Sequence, residues 1–86
     1  MKDEEIKYYL EEAKFYIISN RFKVAEKYLK RVLKEEPDNI EALFHMGLLN
    51  ELLNRLQEAR EYYEKVLELS PQHKGALSHL SKLQIK

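Results

Sequence analysis

The sequence contains no cysteine, which excludes a disulfide framework and every site that needs a thiolate, including zinc–thiolate sites. Its only glycines are Gly47 and Gly75, so it lacks a glycine-rich loop for binding phosphate. No apolar run approaches the roughly 18 residues that a membrane-spanning helix needs. The first residues, MKDEE, are too acidic for a signal peptide. We therefore expect a soluble protein of the cytoplasm with no membrane partner.

What the chain does contain is a repeat of 34 residues. When residues 6–39 are laid over residues 40–73, eight positions are identical, among them Asn20 with Asn54 and Pro37 with Pro71. A unit this short cannot bury its apolar face alone, so its copies must stack. The repeat predicts a single domain, 1–86, with repeat 1 at about 6–39, repeat 2 at about 40–73 and a terminal half-repeat at about 74–86.

Apolar residues recur at steps of three and four, which predicts five helices and no strand. We place them at about 3–19, 22–35, from 38 onward, 56–69 and 72–85. Asn20 and Asn54 are expected to end the first helix of each repeat, because asparagine tolerates the left-handed conformation that closes a helix. Asp38 is expected to cap the third helix in a capping box with Glu41, and Ser70 to cap the fifth.

Small residues, bulky residues and proline also recur at fixed distances within each repeat. They are Tyr9, Ala13, Ala25, Leu29 and Pro37 in repeat 1, and Leu43, Gly47, Ala59, Tyr63 and Pro71 in repeat 2. This pattern resembles the tetratricopeptide repeat. The resemblance covers residues 6–86, about two and a half repeats. It implies an all-α fold of helical hairpins, a right-handed α-solenoid fragment of five helices.

In that family the first helix of each hairpin lines a concave groove that holds an extended or helical segment of a partner protein. The resemblance thus implies a protein–protein interaction module, an adaptor or an assembly scaffold. Transferred by position, the groove would be lined by Leu10, Lys14, Ile17, Phe44, His45, Leu48, Glu51, Leu52, Ser78, His79 and Lys82. We expect Phe44 and Leu48 at its centre. The alternative is that the apolar members, above all Ile17 and Leu52, belong to the core.

One subset of the family binds the carboxylate ends of chaperone tails with lysine, asparagine and arginine side chains at set positions. Those positions here hold Leu10, Lys14, His45, Gly75 and His79. Only Lys14 suits a carboxylate clamp. We therefore do not expect an acidic chaperone tail as the ligand.

No set of residues suggests catalysis, a cofactor or a metal. His45 and His79 occupy equivalent positions of neighbouring repeats, with Glu11 at the same position in repeat 1. Neighbouring repeat helices lie roughly 10 Å apart, whereas zinc–nitrogen bonds measure about 2.0–2.1 Å. The serines lack a patterned base or an oxyanion loop. The sequence therefore predicts a binding protein and not an enzyme.

The charges balance, with 15 basic and 15 acidic side chains, so no long-range field would attract nucleic acid. The second helix does carry a basic row, and the fourth helix has an acidic row at equivalent positions. The basic row is Lys27, Lys30 and Lys34, and the acidic row is Glu61, Glu64 and Glu68. We interpret the rows as partners across stacked repeats, and we expect no nucleic-acid ligand.

The terminal half-repeat points to self-association. Leu83 stands 34 residues after Leu49 and 68 after Phe15, in a row that we expect to contact the following repeat. Leu83 and Ala76 would then border an open stacking face, which a second copy could cover. The sequence leaves open three alternatives: a monomeric adaptor, a homodimer, and a designed or excised repeat fragment without a dedicated ligand.

Overall fold

Five α-helices and no strand make up residues 1–83, the part of the chain that the computed structural model describes. The helices are α1 (Asp3–Ile18), α2 (Phe22–Glu35), α3 (Ile40–Leu52), α4 (Leu56–Leu69) and α5 (Lys74–Leu83). The predicted number of helices is confirmed, and α2 and α4 have the predicted bounds. The predicted extension of the fifth helix to residue 85 lies outside the described residues. Within them, no helix has the length and apolar character that crossing a membrane requires.

The turns inside the two hairpins have the same geometry. Asn20 and Asn54 adopt the left-handed conformation, with φ of 62° and 61°, as predicted. The Arg21 N–H donates to the Tyr16 carbonyl at 2.8 Å, and the Asn20 N–H donates to the Ile17 carbonyl at 3.0 Å. This pair of bonds is the Schellman motif, which satisfies the last carbonyls of α1 and reverses the chain. The tight turn lets α2 pack back along α1, and α4 along α3.

The predicted caps of α3 and α5 are wrong by a few residues. Asn39, not Asp38, caps α3, because its side-chain oxygen accepts a hydrogen bond from the Ala42 N–H at 2.9 Å. His73, not Ser70, occupies the same place before α5 and accepts from the Ala76 N–H. In both connections the proline and the residue after it form a turn. The helices α3 and α5 therefore start two residues later than the predicted starts at 38 and 72.

The helices stack in chain order around two adjoining apolar clusters. The first cluster joins α1, α2 and α3 and includes Ala13, Leu29 and Met46. The second joins α3, α4 and α5 around Tyr63. Each hairpin is close-packed where a small residue meets its partner helix. At Gly47 a β-carbon would lie only 2.4 Å from Cε1 of Tyr63.

The row that contains Leu49 and Leu83 faces the preceding repeat, not the following one as expected. Leu49 packs in the cluster of repeat 1, and Ala76 and Leu83 pack in the cluster of repeat 2. Ala76 is fully buried, and the Leu83 carbonyl accepts a hydrogen bond from Arg60 at 3.3 Å. Both residues therefore lie inside the chain's own contact between α4 and α5. Helical spacing shows which residues share a face, but not which neighbour that face meets.

The expected pairing of the basic row of α2 with the acidic row of α4 is also absent from residues 1–83. The ion pairs between repeats in this part of the chain are Lys14–Glu41, Glu26–Arg55 and Asp38–Lys65, at 3.2, 3.6 and 3.8 Å. The physical reason is the packing, because α2 contacts α3 much more than it contacts α4. The side chains that form ion pairs across the repeats lie near α3 or in the turns that connect the helices.

Candidate functional site

The predicted groove residues lie on α1, α3 and α5, and polar contacts connect these three helices. Lys14 of α1 forms ion pairs with Glu11 at 3.0 Å and with Glu41 of α3 at 3.2 Å. Glu51 of α3 accepts a hydrogen bond from Nδ1 of His79 on α5 at 3.0 Å. The first helices of the three units thus form one continuous surface, which we call the groove surface.

A cavity of about 420 Å³ opens at the α1 end of the groove surface. Its floor is apolar, because Ile6 and Leu10 are only 6% and 7% exposed. Its rim carries four carboxylates and two lysines, namely Asp3, Glu11, Glu36, Glu41, Lys7 and Lys14. An apolar floor with a rim in which negative charge predominates favours a ligand that combines an apolar side chain with a positive charge.

The positive charge of Lys14 is already engaged. Hydrogen bonds to Glu11 and Glu41 raise the pKa of the Lys14 ammonium group, since they stabilise its charged form. A carboxylate ligand would have to compete with both glutamates for this lysine. The one residue that suited a carboxylate clamp in sequence is therefore poorly placed to serve as one.

Phe44, the expected centre of the groove, packs against α5 and the turn before it. Its ring centroid lies 4.8 Å from that of His73, 5.8 Å from Tyr63 and 5.9 Å from His79. A β-carbon on Gly75 would come within 2.7 Å of the Phe44 Cζ atom. Phe44 is half-buried, and its ring connects α3 to α5 in the space that Gly75 leaves open.

A buried tyrosine supports the groove surface from behind. The Tyr63 hydroxyl donates to Glu51 at 2.7 Å, and the same carboxylate oxygen accepts from His79. Burial, together with this hydrogen bond, raises the pKa of Tyr63, so its hydroxyl stays protonated and remains a donor. In the sequence, Tyr63 is recognisable only as a bulky residue of the repeat pattern. The feature that could have indicated its hydrogen-bonding role is the phenol hydroxyl, because a buried tyrosine hydroxyl needs a hydrogen-bond partner nearby.

The other expected groove residues differ in exposure. Ile17 and Leu48 are half-buried and pack at the edges of the two clusters, whereas Leu52 is 58% exposed. Ser78 and Lys82 are exposed on α5. His45 bonds to the Glu41 carbonyl through Nδ1 at 2.8 Å, separately from His79. Residues 1–83 contain no group of three side chains placed to hold a metal ion.

Replacing Phe44 with alanine should loosen α5, because it removes the ring that fills the space above Gly75. We expect a loss of about 2 kcal/mol in the free energy of unfolding, less than for a fully buried phenylalanine. Hydrogen exchange of the α5 amides should accelerate more than exchange in α1. The control is Leu52→Ala, at an exposed position of the same helix. Unchanged exchange in α5 of the Phe44 variant would show that the ring does not hold this helix.

Comparisons with known proteins agree with this geometry. Residues 10–74 match the sequence model of the tetratricopeptide repeat, and no curated protein matches the chain at a significant level. Among solved structures, the chain resembles the first tetratricopeptide domain of Spaghetti (RPAP3), which is bound to the HSP90 peptide SRMEEVD. The two sequences are 28% identical over 94% of this chain, and the TM-score is 0.86. It also resembles the tetratricopeptide domain of Arabidopsis OM64, with 26% identity over 92% of this chain and a TM-score of 0.87.

The chain spans 65% of the length of each of these two structures. The family model covers most of the sequence, and the matched region contains the second hairpin, most of the first, and both asparagine turns. This chain therefore belongs to the tetratricopeptide repeat family.

Proposed function

We propose that this domain is a protein–protein interaction module that binds a peptide or helical segment of a partner on its groove surface, as an adaptor or an assembly scaffold. The observation that carries the proposal is the cavity of about 420 Å³ with an apolar floor and a charged rim. Small concave sites of this kind suit one anchoring side chain of a ligand. A related domain with a similar fold is bound to a peptide, which supports a peptide as the kind of ligand.

The charges of the rim favour a basic ligand segment over an acidic one. Carboxylates outnumber lysines at the cavity, and Lys14 is shared between Glu11 and Glu41. At the other clamp positions, Gly75 is covered by the Phe44 ring and His79 is bonded to Glu51. We propose a segment in which an apolar side chain enters the cavity and a neighbouring lysine or arginine meets Glu11, Glu36 or Glu41.

The domain acts by binding alone in this proposal. Three groups near the groove that could carry protons are held together, because the Tyr63 hydroxyl and the His79 ring both donate to Glu51. Such a closed set of hydrogen bonds holds α3, α4 and α5 in place. Its members serve to position the surface, and the ligand needs only charge and shape to be recognised.

Two labelled peptides test the preference. The first is SRMEEVD, the peptide bound by the related domain. The second has lysine in place of its three acidic residues and an amide at its end. By fluorescence anisotropy, we expect the basic peptide to bind at least about ten-fold more tightly, because its charges complement the rim. Glu41→Lys, which reverses one rim charge and competes with Lys14, should abolish or invert this preference.

The control for this experiment is Glu58→Lys, which makes the same charge change beside a different cavity. It should leave the preference intact. Tighter binding of the acidic peptide, or a preference that Glu41→Lys leaves unchanged, would contradict the proposed ligand chemistry. If neither peptide binds, the groove function itself is contradicted for ligands of this length.

A further inference from the structure

The α1 end of the stack exposes positions that are buried in repeat 2. Tyr8 and Phe15 are 54% and 58% exposed, whereas Ala42 and Leu49, each 34 residues later, are completely buried. In α3 these positions pack on the preceding repeat. Tyr8 and Phe15 therefore lie on the corresponding side of repeat 1, and no other part of residues 1–83 covers them. We call this side, with the adjoining surface of α2, the N-terminal face.

A cavity on the N-terminal face has a counterpart on repeat 2. It measures about 390 Å³, and the counterpart measures about 350 Å³. The first is lined by Tyr9, Val24, Lys27, Tyr28 and Arg31, and the second by Leu43, Glu58, Glu61, Tyr62, Lys65 and Pro37. Five residues of the second lining stand 34 positions after those of the first, and the proline comes from the preceding repeat. The cavity of the N-terminal face thus matches the one on repeat 2, but it lacks the residue that a preceding repeat contributes there.

The chemistry of the face argues against a further repeat stacked in the same way. Glu12 stands where Met46 and Leu80 stand in the later units, and Met46 is almost completely buried. A repeat in that position would bury the Glu12 carboxylate without a cation, which proteins avoid. It would also meet the large side chain of Tyr8 where α3 offers an alanine. The occupant must instead place a positive charge opposite Glu12.

The N-terminal face carries such charges itself. Lys27 and Arg31 are exposed on α2 beside the cavity, and the Arg31 guanidinium lies 5.9 Å from the centroid of the Tyr9 ring. Glu12, Lys27 and Arg31 form no ion pair with any of residues 1–83. A two-fold axis that sets α1 of one copy against α2 of another would bring Glu12 opposite Lys27 and Arg31 twice. The aromatic side chains between them are of the kind enriched at interfaces.

We propose that two copies of this chain associate through their N-terminal faces about a two-fold axis, with Glu12 of each copy meeting Lys27 and Arg31 of the other. The opposite end of the stack does not offer a second such surface. The outer side of α5 presents one exposed apolar residue, Leu77, among the polar side chains of Lys74, Ser78 and Ser81, and α5 has no carboxylate that could take the part of Glu12. Because a contact about a two-fold axis uses the same face of both copies, it gives a closed dimer. This interface is separate from the groove surface and does not depend on the proposed peptide ligand.

Charge reversal tests the interface, with sedimentation equilibrium as the measurement. Glu12→Arg and the double variant Lys27→Glu/Arg31→Glu should each raise the dissociation constant of the dimer at least about ten-fold, because each places like charges opposite one another on both sides of the axis. An equimolar mixture of the two variants should form a heterodimer of nearly wild-type affinity. In that mixture every contact again joins opposite charges.

The matched control is Lys82→Glu, an exposed charge reversal on α5, which should leave the dimer unchanged. Circular dichroism melts establish that each variant is folded at the temperature of the measurement. A wild-type chain that stays monomeric at several hundred micromolar would overturn the proposal. So would a mixture of the two reversed variants that associates no better than either alone, or a control that weakens the dimer equally.

Discussion

Tyr63→Ala should lower the free energy of unfolding by about 3–5 kcal/mol, the range for removing a large aromatic side chain from a core. Tyr63 is the largest fully buried side chain of the described residues. Its ring contacts Gly47 and Phe44, and its hydroxyl bonds to Glu51. Domains of this size have a total stability of about 4–13 kcal/mol. Urea denaturation followed by circular dichroism should therefore show a much lower midpoint, or partial unfolding without denaturant.

Tyr63→Phe separates the two roles of this side chain. It keeps the ring and removes the hydroxyl, so we expect a loss of about 1 kcal/mol, the usual net value of one hydrogen bond. Glu51 would keep its bond from His79. If the phenylalanine and alanine variants were equally unstable, the hydrogen bond and not the ring would hold α3, α4 and α5 together.

Gly47→Leu should also destabilise the fold, by about 1–3 kcal/mol through overpacking. A β-carbon at this position would lie 2.4 Å from Cε1 and 2.7 Å from Cδ1 of Tyr63. The ring has no room to withdraw, because it is fully buried and its hydroxyl is bonded to Glu51. Replacing a helical glycine gains up to about 1 kcal/mol in helix propensity, which offsets only part of the strain. The melting temperature of the variant measures the net effect.

Gly75→Ala is the matched control for the Gly47 variant. Its β-carbon would meet Cζ of Phe44 at 2.7 Å, but Cζ is the far end of a half-buried ring, so a small shift that keeps the ring packed against α5 relieves the contact. The strain should then be small, and the gain in helix propensity should nearly cancel it. A Gly47→Leu variant with an unchanged melting temperature would contradict the close approach of α3 and α4.

The architecture could be predicted because its signals are local or periodic. The 34-residue repeat determined the number and order of the helices. The conformations of Asn20 and Asn54 followed from the need to close a helix. The caps beside Asn39 and His73 were misplaced because several polar residues follow each helix break, and the choice among them depends on the turn that the proline forms.

The surface chemistry was harder to predict, because it depends on contacts between distant residues. Phe44 was expected to face a ligand, but its ring packs above Gly75, a residue of another helix. The row of Leu49 and Leu83 was identified correctly as a stacking row, but its direction required the packing itself. Only the direction of this row shows that Tyr8 and Phe15 lie on the N-terminal face and not in a contact with repeat 2. The groove residues as a set remain a prediction that binding measurements must test.

The order in which the helices pack has a consequence for how the chain folds. Each helix lies mainly against the next one in sequence, from α1 on α2 to α4 on α5. Such contacts close only short loops, so little chain entropy is lost before the first contacts form. Helical chains of low contact order fold within about microseconds to milliseconds. Either hairpin can form first, and the second can then assemble on its exposed side, without a search for partners far along the chain.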